Sequence, residues 1–113
     1  MCTPRELDKV LSKARTGLVS IFGNRLLDVL LYGSYARGEQ TEESDIDVFA
    51  LVDLSKGELA KYRRAVSDFS SDLDLEHDVL LSIKLQDAET FYRYSQTLPY
   101  FKNVIKEGIR IAQ

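Results

Sequence analysis

The stretch from Leu30 to Asp53, LLYGSYARGEQTEESDIDVFALVD, places a polar loop between two apolar runs and decides how the fold is interpreted. The second run begins with Asp45 and Asp47, which share one face if the run is a strand. Two neighbouring carboxylates at the edge of a core repel each other unless they are protonated or bridged by a cation. The stretch therefore predicts a cation at the start of this strand.

Magnesium is the cation that suits Asp45 and Asp47 best. Residues two apart on a strand have Cα atoms about 6.5 to 7 Å apart, so both carboxylates can reach one or two shared ions. Magnesium prefers carboxylate oxygen, water and phosphate as ligands. His77 is the only histidine, and its strand parity is opposite to that of Asp78, which predicts a side chain in the core and no zinc site.

The loop before this strand has features of an anion-binding turn. Gly33 leaves the first apolar run and allows the backbone to approach a ligand closely. The amides of a following helical turn, together with the Ser34 hydroxyl, can hold phosphate oxygens. Arg37 can add a charge-assisted hydrogen bond to the same phosphates.

Length and composition predict one domain over residues 1 to 113, in the cytoplasm. The chain has 113 residues, 44% of them hydrophobic and 29% charged, which is typical of a globular protein. No apolar run approaches the length of about 20 residues needed to span a membrane. The single cysteine, Cys2, excludes an intramolecular disulfide, and the net charge of -3 makes nucleic acid an unfavourable direct substrate.

Hydrophobic spacing predicts an α/β (α+β) fold with a small, mixed, three-stranded sheet flanked by helices. The predicted strands are Val29 to Tyr32, Asp45 to Val52, and about Leu75 to Leu85. Capping boxes at Thr3 and Ser55 begin the first and central helices. Gln86 to about Thr97 and Pro99 to Gly108 are predicted as the last two helices.

The connections predict how the strands pair. Residues 34 to 44 are too few for a parallel crossover, so the first two strands should be antiparallel neighbours. The central helix can return the chain for a third strand parallel to the second. Glu76 and Asp78, near the start of that strand, would then meet Asp45 and Asp47 at one edge of the sheet.

These residues resemble a known signature. Gly33 to Gly38, GSYARG, followed by Ser44 to Asp47, SDID, is similar to the motif of the DNA polymerase β nucleotidyltransferase superfamily, in particular its minimal nucleotidyltransferases. That family has a Gly-Ser turn, an Asp-x-Asp strand about ten residues later, and a third acidic residue on a later strand. The order of elements agrees over nearly the whole chain, which implies the nucleotidyltransferase fold.

The resemblance implies site residues and a reaction. Gly33, Ser34, Arg37 and Ser44 would bind the nucleotide, Asp45 and Asp47 would bind two Mg²⁺ ions, and a third carboxylate would help to activate the acceptor hydroxyl. Asp78 fits the acidic-then-apolar pattern of that third position as a catalytic metal ligand, and Glu76 has the same parity. The hydroxyl would attack the α-phosphate of a nucleoside triphosphate, and pyrophosphate would leave.

The resemblance also implies a partner. Small members of this family are commonly paired with a helical HEPN-domain ribonuclease toxin and act as antitoxins that transfer AMP from ATP to a tyrosine of the toxin. A protein-adenylylating antitoxin is the prediction. A non-catalytic antitoxin that neutralises its partner by binding, and transfer to a small molecule or an RNA end, are the alternatives.

Overall fold

A mixed four-stranded sheet with helices on both faces forms the frame of the molecule. The computed structural model describes residues 3 to 111, so Cys2 lies outside the described residues. The elements in chain order are α1 (Pro4–Phe22), β1 (Leu26–Tyr32), α2 (Ser34–Arg37), β2 (Ile46–Val52), α3 (Lys56–Ala60), α4 (Arg63–His77), β3 (Leu81–Asp87), α5 (Ala88–Tyr94), α6 (Pro99–Glu107) and β4 (Ile109–Arg110). The predicted α/β class is confirmed.

The sheet has the strand order β3-β2-β1-β4, and its pairing confirms the predicted directions. Strand β1 is antiparallel to β2, with Tyr32 opposite Asp47. Strand β3 is parallel to β2, with Ser82 opposite Asp47. The C-terminal end of β1 and the N-terminal ends of β2 and β3 therefore meet at one edge of the sheet.

Strand β2 is buried on both faces because each face supports its own core. Alternate residues of the strand pack against α1 and α4; these are Ile46, Val48, Ala50 and Val52. The opposite face presents Phe49 and Leu51 to α5 and α6. Asp47 has the same parity as Phe49. Its carboxylate therefore belongs to the sheet face that α5 and α6 cover further along.

The helix starts follow the predicted caps, but the central helix is interrupted. Thr3 caps α1 through the amide of Glu6, and Ser55 and Glu58 form a reciprocal capping box on α3. The chain then breaks at residues 61 and 62 before α4 begins, so the single predicted helix is two helices. No helix in the described part of the chain is long and apolar enough to cross a membrane.

The prediction that β3 begins near Leu75 is wrong, because α4 continues through His77. The helical spacing of Val66, Ser70 and Leu73, all buried, extends to the half-buried His77. Asp78 ends the helix in a left-handed conformation with φ 53° and ψ 52°. Glu76 therefore lies on a helix and Asp78 at its C-cap, and neither lies on the strand.

A fourth strand follows α6 and was not predicted. Ile109 and Arg110 pair with the outer edge of β1. The amide of Ile111 donates to the carbonyl of Val29 at 2.8 Å, and Arg110 makes a two-pronged ion pair with Asp28 at 3.1 Å for each bond. The alternation of Ile109 and Ile111 around Arg110 is the sequence signal that indicates this strand.

Close packing of α1 on α4 predicts a cost for a methyl group at Gly17. A Cβ atom there would lie 2.0 Å from the ring of Phe69. We expect Gly17→Ala to lower the free energy of unfolding by about 1 kcal/mol, because overpacking of about 1 to 3 kcal/mol exceeds the gain in helix propensity. Urea denaturation measures it. Gly57→Ala, where a Cβ meets nothing within 4 Å, is the control, and an equal response of both variants would contradict the prediction.

Candidate active site

Gly33 and Asp47 are in contact where β1 ends beside the start of β2. A Cβ atom at Gly33 would lie 2.3 Å from Oδ2 of Asp47, and Gly33 has φ +76°, which favours glycine. The amides of Ala36 and Arg37 both donate to the Gly33 carbonyl at 3.1 Å and close the turn that begins α2. Backbone and carboxylate are thus brought together as the sequence predicts.

The electrostatics of Asp45 and Asp47 indicate a site that is short of positive charge. Asp45 is exposed and Asp47 is half-buried. Burial, and then the negative charge of Asp45, raise the pKa of Asp47 above its ordinary value, although Arg37 acts in the opposite direction. A cation between the two carboxylates would reverse this effect.

Arg37 is engaged with two carboxylates in this structure. Its Nε donates to Glu39 at 2.7 Å, and its Nη1 donates to Glu107 at the end of α6 at 3.0 Å. The Arg37 side chain remains 42% exposed, so an incoming anion can approach it. Phosphate oxygens would compete with Glu39 and Glu107 for the same donors.

Ser44 and Asp78 line one cavity of about 270 Å³, together with Tyr35 and residues of the loop that precedes β2. The Ser44 hydroxyl oxygen accepts the amide of Thr41 at 2.9 Å, so it also shapes the turn that leads into Asp45. Asp78 is exposed at the C-cap of α4. It reaches this cavity from a loop and not from the strand position that we predicted.

The predicted third carboxylate is not assembled with the other two. Within residues 3 to 111, no three side chains among His, Cys, Asp and Glu come together as a metal-binding group. Glu76 instead pairs with Lys13 on α1, and this partner lowers its pKa. The strand position opposite Asp47 holds Ser82. The role of Asp78 stays a prediction.

Two tyrosines near the acids were missed by the sequence analysis. Tyr32 stands opposite Asp47 in the ladder, and its hydroxyl accepts a 3.1 Å hydrogen bond from Tyr100 of α6. Burial, then the hydrogen bond from Tyr100, then the charge of Asp47 among the remaining causes raise the pKa of Tyr32, which therefore stays protonated. The position of Tyr32 directly before Gly33 is the signal that could have identified it.

Comparison with known proteins identifies the family of this chain. The family model described as a nucleotidyltransferase domain matches residues 11–112. The chain belongs to this family. The predicted family, the predicted fold and the expectation of a nucleotidyltransferase are thereby confirmed.

Relatives of this nucleotidyltransferase occur in Methanocaldococcus jannaschii. One protein is 30% identical over 101 residues, which cover 89% of this chain and 93% of the relative. Another is 29% identical over 110 residues and covers 96% of this chain and 97% of the relative. Both are provisionally named protein adenylyltransferases.

Solved structures share the fold of the nucleotidyltransferase. A toxin-antitoxin crystal structure with AMP-PNP matches with a TM-score of 0.59 and 20% identity, over 90% of this chain and 72% of that chain. The MntA-HpeT toxin-antitoxin, in a variant with two aspartates changed to glutamate, matches with a TM-score of 0.55 and 19% identity, over 93% of this chain and 71% of that chain. At these identities the likeness concerns the fold.

The raised pKa of Asp47 predicts that the stability of the ligand-free nucleotidyltransferase depends on pH. The folded state binds this proton more tightly than the unfolded state, so stability falls as pH rises from the ordinary value of 3.8 through the raised pKa. We expect Asp47→Asn in EDTA to melt above wild type at pH 7, and this difference should shrink as the pH falls toward 4. Calorimetry from pH 4 to 8 measures it.

Asp53→Asn is the control for this stability prediction. Asp53 follows the other end of β2 and its side chain is 65% exposed. Its replacement should leave both Tm and its pH profile close to wild type. A Tm of Asp47→Asn at or below the wild-type value at pH 7 would contradict the prediction.

Proposed function

We propose that this nucleotidyltransferase moves AMP from ATP to a tyrosine hydroxyl of a partner protein, in a reaction that requires Mg²⁺. The partner in this proposal is a helical HEPN-domain toxin, which the chain neutralises as an antitoxin. The observation that carries the proposal is the contact between the Gly33-Ser34 turn and Asp47, with Asp45 beside it. This contact unites an anion-binding turn with a cation-binding pair.

The turn is the proposed triphosphate site. The first amides of a helix have no partner within the helix, so those at the start of α2 are suited to phosphate oxygens. The Ser34 hydroxyl adds a donor at the same point, and Arg37 supplies positive charge from the end of α2. Ser44 supports this site by holding the turn before β2, since its hydroxyl bonds the amide of Thr41.

Asp45 and Asp47 are the residues that would hold Mg²⁺. Magnesium in nucleotide sites usually takes one or two protein carboxylates and fills its other positions with water and phosphate, so this pair suffices. When bound, the ion polarises the phosphate and stabilises charge on the entering and leaving oxygens. Asp47 contributes a half-buried carboxylate. Burial and the negative charge of Asp45 raise its pKa, and a bound cation would oppose this effect.

A tyrosine hydroxyl is a suitable acceptor for this site, where two carboxylates lie together without a third. The hydroxyl oxygen attacks the α-phosphorus, the bond to the bridging oxygen of the β-phosphate breaks, and pyrophosphate leaves. Tyrosine has an ordinary pKa of about 10, so its proton is lost more readily than that of an aliphatic alcohol. The demand on a third carboxylate is correspondingly smaller.

The choice of a toxin as the acceptor is supported by the comparisons. Relatives of similar length are named protein adenylyltransferases, and structures with the same fold come from toxin-antitoxin complexes. The resemblance of the GSYARG and SDID motifs to those of minimal nucleotidyltransferases supports the HEPN identity of the partner. A cytoplasmic location is part of the same proposal.

The ion pair of Arg37 with Glu107 predicts an effect on nucleotide affinity. We expect Glu107→Gln to tighten binding of a non-hydrolysable ATP analogue by up to about fivefold, because an exposed ion pair of about 0.2 to 1 kcal/mol no longer competes with phosphate. Titration calorimetry with Mg²⁺ measures it. Glu89→Gln, which breaks an exposed pair with Arg93 on α5, should have no effect, and weaker binding by Glu107→Gln would contradict the prediction.

The experiment that tests the function follows the label of α-phosphate-labelled ATP. Purified protein is incubated with Mg²⁺ and a lysate of the source cells, or with a co-purifying helical protein. Label on a tyrosine of one protein band, lost in EDTA, supports the proposal. Label on RNA or on a small molecule would show that this molecule, and not a tyrosine of a toxin, is the acceptor. A folded protein that binds its partner but transfers none of the four nucleotides would leave a binding antitoxin.

A further inference from the structure

Tyr100 lies on the face of the sheet that carries Asp47. It is exposed, and it contacts Tyr32, the residue opposite Asp47 in the ladder. Its side chain is 41% exposed at the start of α6. Tyr35 is buried, and Tyr62 packs on Phe22 with ring centroids 5.0 Å apart. Tyr100 therefore differs from both in its exposure, and its hydrogen bond to Tyr32 distinguishes it from the exposed Tyr92 and Tyr94 of α5.

The contacts of Tyr100 place its hydroxyl one side chain away from the acids. It donates to the hydroxyl of Tyr32 at 3.1 Å, and the two rings lie edge to face with centroids 6.0 Å apart. Tyr32 pairs directly with Asp47 across the ladder. Opposite residues on one face of an antiparallel pair have Cβ atoms about 4.5 to 5.5 Å apart.

The start of α6 allows the Tyr100 hydroxyl to move. The Tyr100 side chain is exposed, and exposed side chains change rotamer within nanoseconds without movement of the helix. Phe101 next to it is buried and anchors the helix. Tyr100 can therefore exchange its bond with Tyr32 for a ligand without unfolding α6.

We propose that Tyr100 is an internal acceptor, so that the protein adenylylates its own Tyr100 when no partner is bound. The inference rests on the proposed function, which supplies ATP and Mg²⁺. The phenolic oxygen forms a bond to the α-phosphorus, the bond from that phosphorus to the β-phosphate oxygen breaks, pyrophosphate leaves, and the phenolic proton passes to water. The attacking group is held by the same chain, so the reaction gains the advantage of proximity.

The modification limits itself. An AMP group on Tyr100 occupies the face that carries Asp45 and Asp47, so it competes with the next ATP. Each molecule is expected to accept one AMP, and modified protein is expected to label other acceptors more slowly than unmodified protein.

The test is mass spectrometry of the full chain after incubation with ATP and Mg²⁺ and without any other protein. We expect a mass increase of one AMP, located on Tyr100 by fragmentation, its complete loss in Tyr100→Phe and its strong reduction in Asp47→Asn. Tyr92→Phe is the control, because Tyr92 is 63% exposed on α5 and packs on Phe91. That variant should be modified as wild type is.

A parallel labelling of the source-cell lysate separates the two proposals. Label on a lysate protein, together with no AMP on Tyr100 in the incubation without other protein, overturns the internal acceptor and leaves the proposed function in place. AMP on a different tyrosine also overturns it. Absence of transfer to both the lysate and the chain overturns the proposed function and the internal acceptor together. Thermal melting of Tyr100→Phe, whose ring packing is retained, shows that loss of label is not loss of fold.

Discussion

Asp47→Asn is expected to reduce AMP transfer at least about 100-fold. A metal ion supplies several kcal/mol of transition-state stabilisation, and each 1.36 kcal/mol corresponds to a factor of ten in rate. The substituted amide would keep the shape of the side chain but remove the charge that a cation needs. Initial rates with α-phosphate-labelled ATP, at saturating and at low nucleotide, measure kcat and kcat/KM separately.

Two comparisons separate a chemical effect from a structural one. The Asp47→Asn protein should melt no lower than wild type in EDTA, so a lost rate cannot be attributed to unfolding. Asp53→Asn, at the far end of the same strand, should keep the wild-type rate. If Asp47→Asn transfers AMP at a rate within about threefold of wild type, the proposed metal site is refuted. An Asp47→Asn protein that still binds the partner but does not transfer AMP supports the proposed metal site.

Gly33→Ala is expected to have the second large effect. The new methyl group would lie 2.3 Å from Oδ2 of Asp47, so the carboxylate must move by about 1 Å or more. A displacement of that size at reacting groups costs about 100-fold in rate. The backbone of Gly33, with φ 76° and ψ -155°, lies in a region essentially restricted to glycine, which adds a cost of about 1 to 3 kcal/mol in the free energy of unfolding. Transfer rates and urea denaturation measure the two effects.

Gly38→Ala is the control for a positive φ without a contact to Asp47. Gly38 ends the same short helix with φ +72°, and a Cβ atom there meets nothing within 4 Å. Because its conformation is left-handed helical, with ψ 23°, its variant should lose about 1 to 2 kcal/mol of stability and, while folded, transfer AMP at a rate near that of wild type. Equal activity losses in Gly33→Ala and Gly38→Ala would show that the contact with Asp47 has no special role.

The sequence was sufficient to predict which residues come together where the signals were local. Gly33, Ser34, Asp45 and Asp47 follow from turn chemistry and strand parity, both of which depend on near neighbours in the chain. The antiparallel pairing of β1 and β2 follows from the short connection between them. These features require no knowledge of distant contacts.

The errors arose where distant contacts decide the structure. Residues 75 to 78 were assigned to a strand from local alternation, yet the contacts of Glu76 and His77 with Lys13 of α1 lie at the last turn of α4. The side chain of Asp74 then accepts the amide of Leu81 at 2.8 Å at the start of β3. Local alternation could not reveal these partners, so Asp78 was assigned to the wrong element. The pairing of Tyr32 with Tyr100 is equally distant in sequence.

The position of β4 bears on the order in which the molecule assembles. Arg110 meets Asp28 across 82 residues, and Glu107 reaches Arg37 across 70. Closing such long loops costs entropy before the contacts repay it, so these pairings form late in folding. During synthesis the β1–β2 hairpin can form long before residues 99 to 111 leave the ribosome. A nascent chain would therefore carry the acid pair before it carries the segment that holds Arg37.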